Sequence, residues 1–489
     1  MGESQTGHSG SKVMNSFIWR LFERLGAKGV ELAVSLVLAN ILDTELFGSI
    51  ALVLVVINIM QVFVDSGLGN ALIQKKDSDN KDFSTVFFFN IVFCAILYTI
   101  LFFTAPYFAA FYDDLSLTPI IRVLGLTVVI SGVKNVQIAY VSKTMQFKRF
   151  FFSTLGGTVF AAVAGIYLAL NGYGMWALVV QSVSNTAIDT IILWITVKWK
   201  PEFYFSFKRL KILFQYGWKL LVSQLLDTGY AQIRSLIIGK KYTKDDLAYY
   251  DRANQFPGFI TANINTSIDS VLFPAMSGVQ DDKERVKAMT KRAMKTSIFL
   301  MAPMMAGLAC CATPIVKLVL NDSWLPLVPY MIVLCISYMF YPLHTANLNA
   351  IKALGRSDKF LILEIIKKSV GMVLLLISMW HGVMAIALSM LASDIICQII
   401  NSWPNKKLIN YGYLEQLKDI LPSIILAWVM GGIVYCVNFL GLHEFITLAI
   451  QIPLGVAVYT LGAKLFKMES FDYLLTVIKS IIGKKEKTT

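Results

Sequence analysis

Arg20, Arg24, Lys28 and Glu31 recur at helical spacing within FIWRLFERLGAKGVELAVSLVLANIL, residues 17–42, a stretch otherwise apolar enough to enter a bilayer. At about 100° per residue the four fall within about 80° of one another on a helix. A second stretch carries Lys219, Ser223, Asp227, Tyr230 and Arg234 in a similar arc, and the next adds Asp251, Arg252, Asn254 and Gln255 near one end. A charge at mid-bilayer costs roughly 2.5–3.5 kcal/mol on insertion scales. Six cations (Arg20, Arg24, Lys28, Lys219, Arg234, Arg252) facing lipid would therefore cost on the order of 15–20 kcal/mol. Lining a water-filled cavity they cost far less and offer charge-assisted hydrogen bonds to an anion. The structural alternative is that Arg20 snorkels to the interface while Lys28 and Glu31 pair with each other.

Acids in apolar surroundings form a second set: Asp65, Asp189, Asp227, Asp269, Glu364 and Asp394. A proton or sodium site needs carboxylates in a partly dry setting. Asp227, Glu364 and Asp394, in the inner or middle parts of their spans, are the candidates for ion coupling. Pairing with Lys219, Lys367 or Lys368 is the structural alternative.

The elements that must hold these residues are membrane helices. Of 489 residues, 56% are hydrophobic and 15% charged, and the mean hydropathy is +0.63. Several soluble domains of this total size would need more polar residues to cover their surfaces. Apolar runs near the roughly 20 residues that cross a bilayer recur along the chain. The reading is an all-α polytopic membrane protein with fourteen spans between residues 15 and 466. With the N-terminus inside, the inner loops hold 22 cations and the outer loops four, Lys240, Lys241, Lys244 and Lys317. The positive-inside rule thus places both termini in the cytoplasm. The formal charge of +13 reflects topology and calls for no nucleic acid.

The chain also repeats. Pro119, Val123, Leu124 and Phe150 match Pro329, Val333, Leu334 and Phe360 at one offset. GMWAL at 174–178 echoes GVMAI at 382–386, and Thr44-Glu45-Leu46 echoes Asp245-Asp246-Leu247. Two six-helix lobes in parallel pseudo-repeat follow, residues 15–200 and 212–402, of the kind that enclose a cavity opening to either face. A cytoplasmic tail (1–14) precedes them. Two helices outside the repeat (419–466) and an amphipathic basic cytoplasmic tail (467–489) follow. Pro257, Pro303 and Pro342 should kink their spans. The six cysteines fall in apolar runs and read as buried hydrophobes, with no metal site. Walker loop, GxGxxG after a strand and HExxH are all missing from the sequence.

Several stretches resemble the polysaccharide flippases of the multidrug/oligosaccharidyl-lipid/polysaccharide (MOP) exporter superfamily. They are FGSIALVLVV (47–56), VDSGLGNALIQKKDSDNKDFSTVFFFN (64–90), GMWALV (174–179), YYDRANQFPGF (249–259) and LFPAMSGVQDDKERVK (272–287). The resemblance covers residues 12 to about 402, with Ala248 where the motif usually has Gly. It implies a twelve-plus-two helix bundle, alternating access and no intrinsic enzyme activity. Implied substrates are oligosaccharides linked to undecaprenyl diphosphate, moved from the inner to the outer leaflet of a bacterial inner membrane for O-antigen, capsule or exopolysaccharide. A monomer is expected, with no cofactor, a proton or sodium ion as coupling ion, and polysaccharide polymerase and assembly proteins as partners. The cation stripes would then hold the diphosphate. A multidrug antiporter of the same superfamily, handling organic cations, would want an acidic or aromatic cavity instead. A membrane glycosyltransferase, polymerase or ligase would want catalytic acids or histidines on a sizeable outer loop, and these outer loops are short.

Overall fold

The computed structural model describes residues 26, 29–65, 67–75, 77–144, 146 and 148–476, apart from the side chains at 216, 219, 266, 267, 269–271, 274 and 357. Arg20, Arg24, Lys28, the side chains of Lys219 and Asp269, and Lys484, Lys485 and Lys487 of the basic tail lie outside the described residues.

The described residues are all-helical in architecture. In chain order the helices are α1 (Gly29–Ile41), α2 (Thr44–Asp65), α3 (Leu68–Gln74), α4 (Asn80–Phe111), α5 (Leu117–Lys143), α6 (Lys148–Leu170), α7 (Met175–Thr196), α8 (Phe207–Lys241), α9 (Lys244–Ser277), α10 (Lys283–Cys310), α11 (Ala312–Val319), α12 (Val328–Met339), α13 (Tyr341–Ala353), α14 (Ser357–Ser378), α15 (Val383–Leu408), α16 (Tyr413–Cys436) and α17 (Glu444–Leu465). A 3₁₀ turn, Asp322–Leu327, precedes α12.

Ten segments among the described residues are long and apolar enough to cross a membrane, with α2–α3 and the run Asp322–Ala353 each counting once. The chain is a multi-pass membrane protein. Three further helices have the length of a span but are too polar to join the ten: α8 with 35 residues, α9 with 34 and α14 with 22. These three carry every candidate site residue on the described helices except Glu31, on α1, and Asp394, on α15.

The apolar helices sort their faces as a bilayer requires. On α4, Val92, Ile96, Ile100, Phe103, Tyr107 and Phe111 stand exposed at steps of three and four, while Asn90, Cys94, Leu101, Ala105 and Ala109 are buried. On α6 a buried stripe of small residues, Ser153, Gly157, Ala161, Gly165 and Ala169, lets α7 approach closely. A Cβ at Gly157 would stand 2.8 Å from the Asn185 carbonyl. Without a hydrophobic driving force between helices in lipid, such small-residue seams drive their packing.

Contacts divide the chain into two compact units, residues 1–248 and 249–489. In the first, α2 packs along α8. Gly67, at φ +67° between α2 and α3, meets Gly217 backbone to backbone, and Leu52 fills the space a Cβ would need at Gly239. The left-handed backbone and the missing Cβ are both needed at Gly67.

In the second unit, α12 and α13 are one span broken at Phe340, with Pro342 starting the new helix. Pro303, by contrast, lies inside an unbroken α10, and Pro257 inside an unbroken α9. A proline there removes one hydrogen bond without ending the helix. Asn347 on α13 bonds to Asn405 on α15 (2.6 Å) and exchanges hydrogen bonds with Gln416 on α16 (2.9 and 3.0 Å), all three buried. The start of the tail, helical over 469–476, docks on α10: Glu469 pairs with Lys295 at 2.9 Å and the Arg292 guanidinium lies 5.0 Å from the Tyr473 ring. All six cysteines are free.

Candidate substrate-binding and coupling residues

On α8 the charged stripe splits by depth. Ser223 and Asp227 are exposed, whereas Arg234, two turns on from Asp227, is 9% exposed. Its guanidinium lies 5.4 Å from the Tyr230 ring one turn earlier, so the helix supplies its own aromatic platform for the charge. Glu31 on α1 is exposed.

Arg252 on α9 is 6% exposed. Its Nη1 donates to Gln255 Oε1 at 2.8 Å, an i to i+3 contact, and the guanidinium lies 5.4 Å from the Trp324 ring in the 3₁₀ turn. A buried guanidinium over an indole ring keeps its charge and part of its donor fork. The sequence gives no hint of Trp324, because the contact joins a helix to a distant turn.

The acids divide too. Glu364 and Lys367 on α14 form an ion pair at 2.5 Å, so the pairing considered for Glu364 is present. Asp394 on α15 accepts a hydrogen bond from Ser337 on α12. In the first unit Asp189 on α7 pairs with Lys134 on α5 at 2.9 Å, and Asp65 accepts from Asn135 Nδ2 at 3.2 Å. Lys134 went unnoticed in the sequence because it lies inside an apolar span.

Around the break at Phe340 the second unit gathers polar side chains, of which only Asn254 and Asp394 stood out in the sequence. Tyr338 donates to Asn254 on α9 at 2.9 Å, and Thr345 donates to Asn265 at 3.2 Å. His344 Nδ1 lies 2.9 Å from Asn401 Nδ2 on α15. With Ser337 and Asp394, these make a polar seam over α9, α12–α13 and α15. Interrupted membrane helices are tolerated where protein or water replaces the lost backbone bonds. The hydroxyls and amides here can hydrogen-bond sugar hydroxyls, and each guanidinium, in its own unit, can bind an anion.

Residues 37–329 match the family described as polysaccharide biosynthesis protein. The succinoglycan biosynthesis transport protein ExoT of Rhizobium meliloti is 23% identical over 306 residues, 63% of this chain and 62% of ExoT. The teichuronic acid biosynthesis protein TuaB of Bacillus subtilis is 24% identical over 409 residues, 81% of this chain and 83% of TuaB. Among solved structures, the lipid II flippase MurJ in an inward closed conformation superposes with a TM-score of 0.72 over 93% of this chain and 98% of MurJ, at 17% identity. At that identity the likeness is one of fold. The resemblance seen in the sequence stretches is thus borne out by family, relatives and fold.

Proposed function

The chain belongs to the polysaccharide biosynthesis protein family, and on that premise we propose that it is a flippase for undecaprenyl-diphosphate-linked oligosaccharides. It moves them from the inner to the outer leaflet of a bacterial inner membrane by alternating access. The arrangement we propose has fourteen spans in two six-helix lobes plus two C-terminal helices, with both termini cytoplasmic. In this reading α1, α8, α9 and α14 are spans that face water rather than lipid, which accounts for their polarity.

The observation that carries the reading is the burial of Arg234 and Arg252, each on an aromatic ring, in helices too polar for lipid. With Arg20, Arg24, Lys28 and Lys219 they receive the diphosphate, beside Glu31. The hydroxyls and amides near Phe340 meet the sugars, and the polyprenyl tail stays in lipid. The inside-negative potential drives the anionic head outward at roughly 2.3 kcal/mol per charge per 100 mV. An organic cation would meet repulsion from the same residues, so the antiporter reading has less support.

Polymer export in a strain lacking the chromosomal copy tests this. Arg24→Ala and Lys28→Ala should stop export at normal membrane levels of protein. Arg252→Lys should keep part of it, since charge survives without the planar fork on Trp324. Full export by an Arg24→Ala, Lys28→Ala, Arg252→Ala triple variant would sink the mechanism.

A further inference from the structure

The segment 197–207, VKWKPEFYFSF, joins α7 to α8. Its burial alternates: Val197 and Trp199 are buried, Lys198 and Lys200 exposed. In extended chain, alternate residues share a face, so the two lysines point the same way while Trp199 points inward. Trp199 is held there by its indole N–H donating to Asn80 Oδ1 and by its carbonyl accepting from Gln137 Nε2 at 3.2 Å. The rings of Phe83 and Tyr140 pack on it at 6.0 and 6.3 Å.

Against this floor lies a cavity of about 490 Å³, bounded by the start of α4, by Tyr140 near the end of α5, and by Lys198 and Lys200 at its rim. Asp79 also lines it, but its carboxylate accepts from Arg209 Nη1 at 2.5 Å and caps α4 through the Asp82 N–H. Lys198 and Lys200 form no ion pair among the described residues. Glu202, exposed beside them, accepts from the lining Asn80 Nδ2, and the two ammonium groups still leave the rim with net positive charge. Directly after it, Phe203, Phe205 and Phe207 stand exposed, Phe203 completely. Tyr204, between the first two, lies 5.2 Å from the Lys81 ammonium and 5.9 Å from the Arg209 guanidinium. Cations next to bare aromatic rings at the end of a membrane helix suit the boundary between headgroups and acyl chains.

We propose that the cavity behind residues 198–200 binds the phosphate of an anionic phospholipid in the leaflet it faces, with Lys198 and Lys200 on the phosphate and Phe203, Phe205 and Phe207 among the acyl chains. Charge complementarity selects the lipid: two free ammonium groups suit a phosphodiester with net negative charge, and a zwitterionic headgroup offsets its own phosphate. Only the identity of the leaflet, the cytoplasmic one, rests on the orientation proposed above.

Native mass spectrometry of the full chain in detergent tests the site without reading transport. Phosphatidylglycerol should give adducts several-fold more abundant than phosphatidylethanolamine at equal concentration. Lys198→Gln, Lys200→Gln should abolish that preference, and Phe203→Ser should weaken it through a different contact. Unchanged melting of both variants, expected for exposed side chains, excludes misfolding as the cause. Inorganic phosphate should not displace the lipid. Undiminished phosphatidylglycerol preference in both variants would overturn the proposal. So would displacement by inorganic phosphate, which would mark a soluble-anion site, or preference for undecaprenyl diphosphate that the lysine variant loses, which would mark a substrate site. An Arg24→Ala, Lys28→Ala variant should keep its phosphatidylglycerol adducts, so failure of the flippase reading and failure of this site register separately.

Discussion

The Lys244 ammonium lies 2.7 Å from an Asp114 carboxylate oxygen and 3.2 Å from Glu45, tying the start of α9 to the α4–α5 turn and to the start of α2. Thr44 Oγ1 donates to Asp245 Oδ1 beside it, and Lys240 pairs with Asp113 at 2.9 Å. In the orientation proposed, this cluster closes the outer ends of these helices.

Lys244→Gln is expected to loosen those ends. Ser49, buried one turn into α2, provides the reporter as Ser49→Cys. An impermeant maleimide added outside should label it several-fold faster in the Lys244→Gln background, and equal rates would show that the cluster is no latch. Burial raises the Asp114 pKa, but hydrogen bonds from Lys244 and Ser116 outweigh it and hold the group below its ordinary 3.8. Burial lowers Lys244, yet bonds to Asp114 and Glu45 carry it above its ordinary 10.5. The carboxylate's contribution is present above 3.8 and is lost as pH falls through the depressed value. The ammonium's is present below 10.5 and is lost as pH rises through the elevated one. The melting deficit of Lys244→Gln should therefore stay constant between those ordinary values and shrink only outside them.

Glu364 and Asp394 are expected to differ in their response to neutralisation. Glu364→Gln strands the Lys367 ammonium and should cost about 1–3 kcal/mol of stability. Glu364→Gln, Lys367→Met should recover most of it, as read by melting in detergent. Asp394→Asn keeps an acceptor for Ser337, so the fold should tolerate it. If Asp394 takes part in ion coupling, the variant's export should lose dependence on a proton or sodium gradient. Unchanged ion dependence in Asp394→Asn and in the Glu364→Gln, Lys367→Met pair would place coupling elsewhere.

Gly67→Ala should destabilise more than its backbone angle alone explains. A Cβ there would stand 2.3 Å from the Gly217 carbonyl oxygen. Left-handed strain costs roughly 1–2 kcal/mol and overpacking about 1–3 more. Gly172→Ala is the control, having φ +74° with open space around it. Equal losses at both positions would mean that α2 and α8 can yield.

Much of the fold is legible in the sequence, because lipid imposes a length and a polarity on each span that composition reports directly. The ten apolar segments follow from hydropathy, and the polar stripes mark α8 and α9 as exceptions. Residue partners were legible only within one helix, as for Glu364 with Lys367. Trp324 under Arg252, Lys134 on Asp189 and Asp114 on Lys244 join residues far apart in the chain, where no periodicity connects them. The repeat held one unused clue. Its offset aligns Gln137 with Asn347, and each is a buried amide bonded to the segment that ends its own half, Gln137 to the Trp199 carbonyl and Asn347 to Asn405.

That amide cluster also bears on how the protein is made. Asn347 and Asn405 are synthesised before Gln416, which brings the cluster its third member and donates to Asn347 Oδ1 at 3.0 Å. Until α16 leaves the insertion machinery, those two amides sit in a half-finished bundle with hydrogen-bonding capacity that hydrocarbon cannot satisfy. α16 thus completes the polar core of the second unit. A nascent chain stopped after α15 would present the surveillance proteases of the membrane with an unfinished polar core.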